Sequence, residues 1–154
     1  RAIDIVADHA SAKGIYQSGA STTNNLVGKT MLGATTAPAE MLDVTGNVKI
    51  IGQLQTLRFG ATDGATIALN WNNGNKQSVT LGGNRTITFS NPKDGATYTL
   101  LLTQDGTGSR TVTWPTIKWQ GGSAPTLTTT AGKTDIITLF YDGTSYYGVA
   151  SLNF

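Results

Sequence analysis

The sequence predicts an all-β chain in which an extended N-terminal segment precedes a β-sandwich, and three observations carry that prediction. Threonine occurs 26 times and glycine 19 times among 154 residues, while glutamate occurs once, at Glu40. Thr, Val, Ile and aromatic residues suit half-buried pleated surfaces, whereas helices are rich in Glu and Lys. From residue 58 onward, apolar residues recur at every second position between turn-forming dipeptides. Before residue 58 they come only in thin clusters separated by Ala, Ser, Thr, Asn and Gly.

The strands of residues 58–154 can be read in order. Ile67, Leu69 and Trp71 alternate with small or polar neighbours, as do Val79 and Leu81, Ile87 and Phe89, then Tyr98, Leu100 and Leu102, and Val112 with Trp114. Period two with one apolar face marks half-buried strands. Leu127 sits in a weaker strand. The run Ile136–Tyr141 meets Asp142-Gly143 and returns through Tyr146 to Leu152, the clearest hairpin signal in the chain. Asp63-Gly64, Asn73-Gly74, Gly82-Gly83, Asp94-Gly95, Asp105-Gly106 and Gly121-Gly122 punctuate the rest. Seven or eight short strands at this spacing suit a sandwich, jelly-roll-like in its count.

Residues 1–57 cannot build a comparable core. Ile3, Ile5 and Val6, then Ile15 and Tyr16, Leu26 and Val27, and Met31 and Leu32 are too sparse to offset the entropy of ordering the chain. Such a segment either stays floppy or packs against copies of itself. The chain opens at Arg1 without an initiator Met and reads as a fragment or processed product.

Composition narrows the chemistry. The formal charge is +2 and the eleven cations are scattered, so no clustered phosphate-facing surface for nucleic acid is expected. Cysteine is absent, which removes disulfides and thiolate metal sites. No apolar run reaches the length of a membrane span. The single histidine, His9, lies in a polar stretch unsuited to placing a catalytic triad. Asp63, Asp94, Asp105 and Asp142 precede Gly in turns, where the carboxylate bonds its own backbone, so no paired-carboxylate glycosidase site is expected. No loop carries ligands at calcium spacing. The reading is therefore no catalytic residues, no metal and no cofactor.

Residues 33–52 contain Pro38, Leu42-Asp43-Val44, Gly46-Asn47, Val48, Ile50 and Gly52. This stretch resembles a module of phage tail fibres and related bacterial surface fibres, in which a Gly/Thr-rich turn and a Pro precede Leu-Asp-Val-x-Gly-Asn and a short alternating strand. The resemblance departs upstream, at Ala34 and Met41. It implies a homotrimeric stalk over residues 1–57, with Leu42, Val44, Val48 and Ile50 as an apolar stripe at the trimer interface. Three such stripes meeting on an axis would bury what one chain cannot. Residues 58–154 are then the terminal knob, and Leu81–Phe89 and Phe140–Tyr147 also look like terminal domains of phage structural proteins. The resemblance implies a virion protein that is extracellular, with other virion proteins and a host-surface glycan or protein as partners, and attachment by binding. A purely structural capsid fibre or decoration protein is the second reading. A carbohydrate-binding module of a secreted or cell-surface bacterial protein is the third.

Core packing accounts for Trp71, Trp114 and Tyr98. Trp119 runs directly into the loop Gln120-Gly121-Gly122-Ser123, and adjacent Tyr146 and Tyr147 must point to opposite faces of a strand. Sugar rings stack on flat aromatic surfaces. A shallow glycan site is therefore expected at Trp119 and Tyr146, with Gln120 and Asn91 as polar partners.

Overall fold

The computed structural model describes residues 47–154. Leu42, Val44, His9 and the stalk segment up to residue 46 lie outside the described residues. Residues Ile50–Phe154 form a unit of their own.

The expected all-β build is observed, with nine strands among the described residues. They are β1 (Arg58–Gly60), β2 (Thr66–Asn70), β3 (Lys76–Leu81), β4 (Arg85–Ser90), β5 (Thr97–Gln104), β6 (Val112–Thr113), β7 (Lys118–Trp119), β8 (Thr134–Tyr141) and β9 (Tyr146–Ser151). One sheet has the order β1-β3-β5-β8-β9-β7 and the other β2-β4-β6. The chain crosses from one sheet to the other after every strand from β1 to β6. Strands of like sheet are consequently parallel across β1, β3 and β5 and across β2, β4 and β6. Only then does the antiparallel pairing of β5 with β8 and β8 with β9 begin. The pairing is thus mixed rather than uniformly antiparallel. Asn73-Gly74, Gly82-Gly83, Asp94-Gly95 and Asp105-Gly106 lie in the links that change sheet, whereas the turn around Asp142-Gly143 joins the neighbours β8 and β9.

Both sheets contribute to one core. Ile67, Leu69 and Ile87 come from the three-stranded sheet, and Val79, Leu81, Tyr98, Leu100, Leu102, Ile137 and Leu139 from the larger one. Period two places these side chains together, since the alternating phase sets which face each strand buries. Three polar residues share the inward phase. Gln77, Gln104 and Asp135 are all buried, on β3, β5 and β8.

Each of them ties loop backbone to the sheet. Gln77 Nε2 donates to the carbonyls of Asn70 (2.7 Å) and Gly74 (3.1 Å), holding the 3₁₀ turn Trp71–Asn73. Gln104 accepts from the Arg110 N–H at 2.7 Å and donates to the Arg110 carbonyl at 3.0 Å, so its amide imitates a strand partner. Asp135 accepts from the Thr128 N–H and hydroxyl and from the Asn153 N–H. Leu127 is buried without belonging to a strand, anchored beside the Thr128–Asp135 contacts.

Two ion pairs fasten the links that change sheet. Arg85 forks onto Asp63 through Nε (2.8 Å) and Nη2 (2.7 Å). Arg110 grips Asp105 through Nη2 at 2.7 Å, while Asp105 Oδ1 accepts the N–H groups of Thr107 and Gly108. The Arg110 hydrogen bonds lower the Asp105 carboxyl to about 2, and those backbone donors add to the effect. Its folded pKa lies below the unfolded value, so between those two values the unfolded chain binds more protons and stability rises with pH. The contribution is present above about 4 and lost as pH falls toward 2. Thermal melts of Asp105→Asn between pH 4 and 2 should accordingly show a flatter acid dependence than the parent. An identical slope would remove Asp105 from the acid response.

Candidate binding surface

The aromatic residues sort into two groups. The first is internal. Trp71, buried in the 3₁₀ turn, stacks on Tyr98 with centroids 4.1 Å apart, and Phe89 lies 5.2 Å away. Tyr146 is half-buried, packs on Phe89 and Tyr141, and accepts the Trp71 indole N–H at 3.0 Å. Partial burial raises the Tyr146 phenol above its ordinary value. Tyr98 closes the cluster by accepting the Lys93 N–H at 2.7 Å.

The second group faces outward. On β9 the inward phase is Tyr146, Gly148 and Ala150, so Tyr147 and Val149 point away from the core. Register sets Tyr147 beside Phe140 and Val149 beside Thr138 on β8, and Tyr147 beside Lys118 on β7. Phe140, Tyr147 and Val149 are 44%, 41% and 42% exposed, unusual for the solvent side of a sheet. They form the floor of an apolar concavity of about 550 Å³, with Lys118, Trp119 and Gln120 along its edge. Lys118 Nζ lies 4.9 Å from the centre of the Tyr147 ring and donates to its hydroxyl at 3.2 Å.

Trp119 borders this concavity, but it shares the inward phase of its register partner Gly148, and its half-buried ring packs against the core. Its ring meets Trp114 edge-on at 5.1 Å and covers the backbone of Gly148. A Cβ at Gly148 would come within 2.7 Å of Trp119 Cζ3, so only glycine lets the indole lie so close to β9. Beyond Trp119 is a smaller recess of about 160 Å³, where Gln120 and Ser123 supply polar groups beside Pro125 and Leu152.

Of the four residues expected to meet a ligand, Trp119 and Gln120, neighbours in sequence, line both the concavity and the smaller recess. Tyr146 is placed in the internal cluster, with its hydroxyl accepting from Trp71. Asn91 follows β4 with φ 56° and donates to Asn70 Oδ1 at 2.9 Å. Phe140, Val149 and Lys118 were not singled out from the sequence, and Tyr147 only as the neighbour of Tyr146 that must face the other way. Their signal was phase, since Phe140 is out of step with Ile137 and Leu139.

Four of the five described aspartates have structural partners. Asp63 and Asp105 hold arginines, Asp135 holds Thr128 and Asn153, and Asp142 caps the β8–β9 turn by accepting from Thr144 and Ser145. Those turn N–H groups keep the Asp142 carboxyl below its ordinary value. Among the described residues no group of three or more His, Cys, Asp or Glu could hold a metal ion, and no helix is long and apolar enough to cross a membrane.

Fold and surface together define an all-β domain of mixed sheets that presents an aromatic, apolar outer face. The chain belongs to a family of phage tail fibre C-terminal domains: the family model described as "Putative phage tail fibre C-terminal domain" matches residues 61–146, more than half of the sequence. Membership makes it a virion component of the fibre type. No curated protein and no solved structure matches the chain.

Proposed function

We propose that this chain mediates attachment of a phage-type fibre to a host-cell surface, by binding rather than catalysis. In this reading it is a homotrimer whose residues 1–57 form the stalk, with Leu42, Val44, Val48 and Ile50 at the interchain interface. The ligand is a host-surface glycan or protein, held beside Trp119 and Gln120. The observation that carries the reading is the small recess that half-buried Trp119 lines together with the polar residues Gln120 and Ser123. One aromatic surface with a few polar groups suits a sugar ring, and three weak sites on one rigid body add avidity. Tyr146 and Asn91 already have partners in Trp71 and Asn70, so the reading centres on Trp119 and Gln120.

The test is binding of labelled protein to host cells. Gln120 and Ser123 are exposed, so Gln120→Ala and Ser123→Tyr should leave the melting temperature nearly unchanged. Each should weaken a single site about tenfold, roughly 1.4 kcal/mol, and reduce cell binding by at least that factor. Capsular and lipopolysaccharide glycans incubated with the parent should release no new reducing ends. Full binding by both variants would favour the second reading, a purely structural fibre or capsid component.

A further inference from the structure

We propose that the apolar concavity on the outer face of β8 and β9 receives the segment Ile50–Leu57 of a second copy of this chain. This inference rests on the homotrimer reading above, and it concerns the floor of Phe140, Tyr147 and Val149 rather than the recess beyond Trp119.

The outer face of the six-stranded sheet is divided. On β1 and β3 it carries Arg58, Lys76, Ser78 and Thr80, the polar residues a solvent-facing sheet normally shows. On β8 and β9 the same face carries Ile136, Thr138, Phe140, Tyr147 and Val149, with no charge until Lys118 on the edge strand. An uncharged concave floor with so few hydrogen-bonding groups suits an apolar peptide better than a sugar, whose hydroxyls need partners.

The same chain carries the complementary piece. Residues 50–57 read Ile-Ile-Gly-Gln-Leu-Gln-Thr-Leu, without a charge. Ile51, Leu54 and Leu57 are 89%, 71% and 80% exposed, so within one copy they bury almost nothing. They recur at every third position, and in an extended three-residue-per-turn conformation that spacing puts all three on one side. A stripe of this kind can lie along a groove.

Exposure makes the contact one between copies. The segment leads directly into β1, an edge strand, and the floor lies on β8 and β9, three and four strands away, about 14–19 Å. Eight extended residues can span that distance, yet within one copy Ile51, Leu54 and Leu57 stay exposed and off the floor. A segment that fits a different surface of its own chain in a second copy makes a heterologous contact. Repeated around an axis it closes into a ring, of which a trimer is the three-membered case.

Because the sequence has no cysteine, paired cysteines report the contact without background. The full chain carrying Leu54→Cys with Val149→Cys should form disulfide-linked dimers and trimers under mild oxidation. Each single variant should stay uncrosslinked, since the two positions are not their own partners. Light scattering of the parent should give three times the 16.1 kDa monomer mass. Val149→Asp, at an exposed site, should preserve strand content and reduce the assembled mass. A trimeric parent whose double variant fails to crosslink, or closes only within one chain, overturns this contact and leaves the fibre reading standing. Crosslinking of Leu54→Cys alone overturns it too. A monomeric parent overturns both the contact and the homotrimer on which it rests.

Discussion

Trp71→Ala is expected to lower the melting temperature by roughly 15 °C or more, because it removes the ring around which the aromatic cluster is built. Truncating a buried Trp costs about 3–5 kcal/mol, and a domain of this size loses about 4–8 °C for each. The cost falls at the high end here. Trp71 is 4% exposed, and its loss strips Tyr98 and Phe89 of their stacking partner. Tyr146 also loses the donor to its hydroxyl. Tyr146→Phe is the informative companion. It keeps the packing on Phe89 and Tyr141 and leaves the Trp71 N–H without its acceptor, for about 1–3 kcal/mol. If Tyr146→Phe instead melted like the parent and lost cell binding, the hydroxyl would belong to a ligand and the packing assignment would be wrong.

That pair of variants also marks how far the sequence could be read. Adjacent Tyr146 and Tyr147 had to face opposite ways, which the alternation of a strand dictates and the structure bears out. Which of them faced outward depended on the phase of β8, through the pairings Phe140 with Tyr147 and Tyr141 with Tyr146. Phase was legible in Ile137 and Leu139, so the outer position of Phe140 could have been found. The same phase would have exposed Gln77, Gln104 and Asp135 as inward polar residues, in step with Val79, Leu102 and Ile137. What alternation cannot supply is the neighbour. Asn73-Gly74 and Asp142-Gly143 look alike as turn signals, yet the first lies in a link that changes sheet and the second in one that joins antiparallel neighbours. The difference is decided by pairing across the fold. Thr99 meets Lys76 on one side and Thr138 on the other, partners more than twenty residues away in either direction. Trp71 shows the local limit, since its apolar phase predicted burial correctly while the chain around it turns as 3₁₀.

Asp135→Ala should be the most damaging change at a polar residue, and its damage should be local before it is global. The carboxylate holds the Thr128 N–H at 2.7 Å, the Thr128 hydroxyl at 2.7 Å and the Asn153 N–H at 2.9 Å. Two stretches of chain therefore hang on it, the loop that carries buried Leu127 and the C-terminal residues that follow β9. Removing one partner of a buried hydrogen-bonded set leaves the others desolvated and unmatched, at about 1–3 kcal/mol each. Three such donors, partly relieved by water at the half-buried Thr128, give a loss of about 3 kcal/mol or more. Asp135→Asn keeps one oxygen for the Thr128 hydroxyl and the Asn153 N–H but turns its N–H₂ toward the Thr128 N–H, so it should recover only part of that loss. Hydrogen exchange separates this account from a general loosening. The Thr128 and Asn153 amides should lose protection first, while the β5–β8 ladder, from Thr97 with Phe140 to Thr103 with Thr134, stays protected. If both variants kept those two amides protected and melted within about 2 °C of the parent, Asp135 would not be the tie that holds these segments to the sheet.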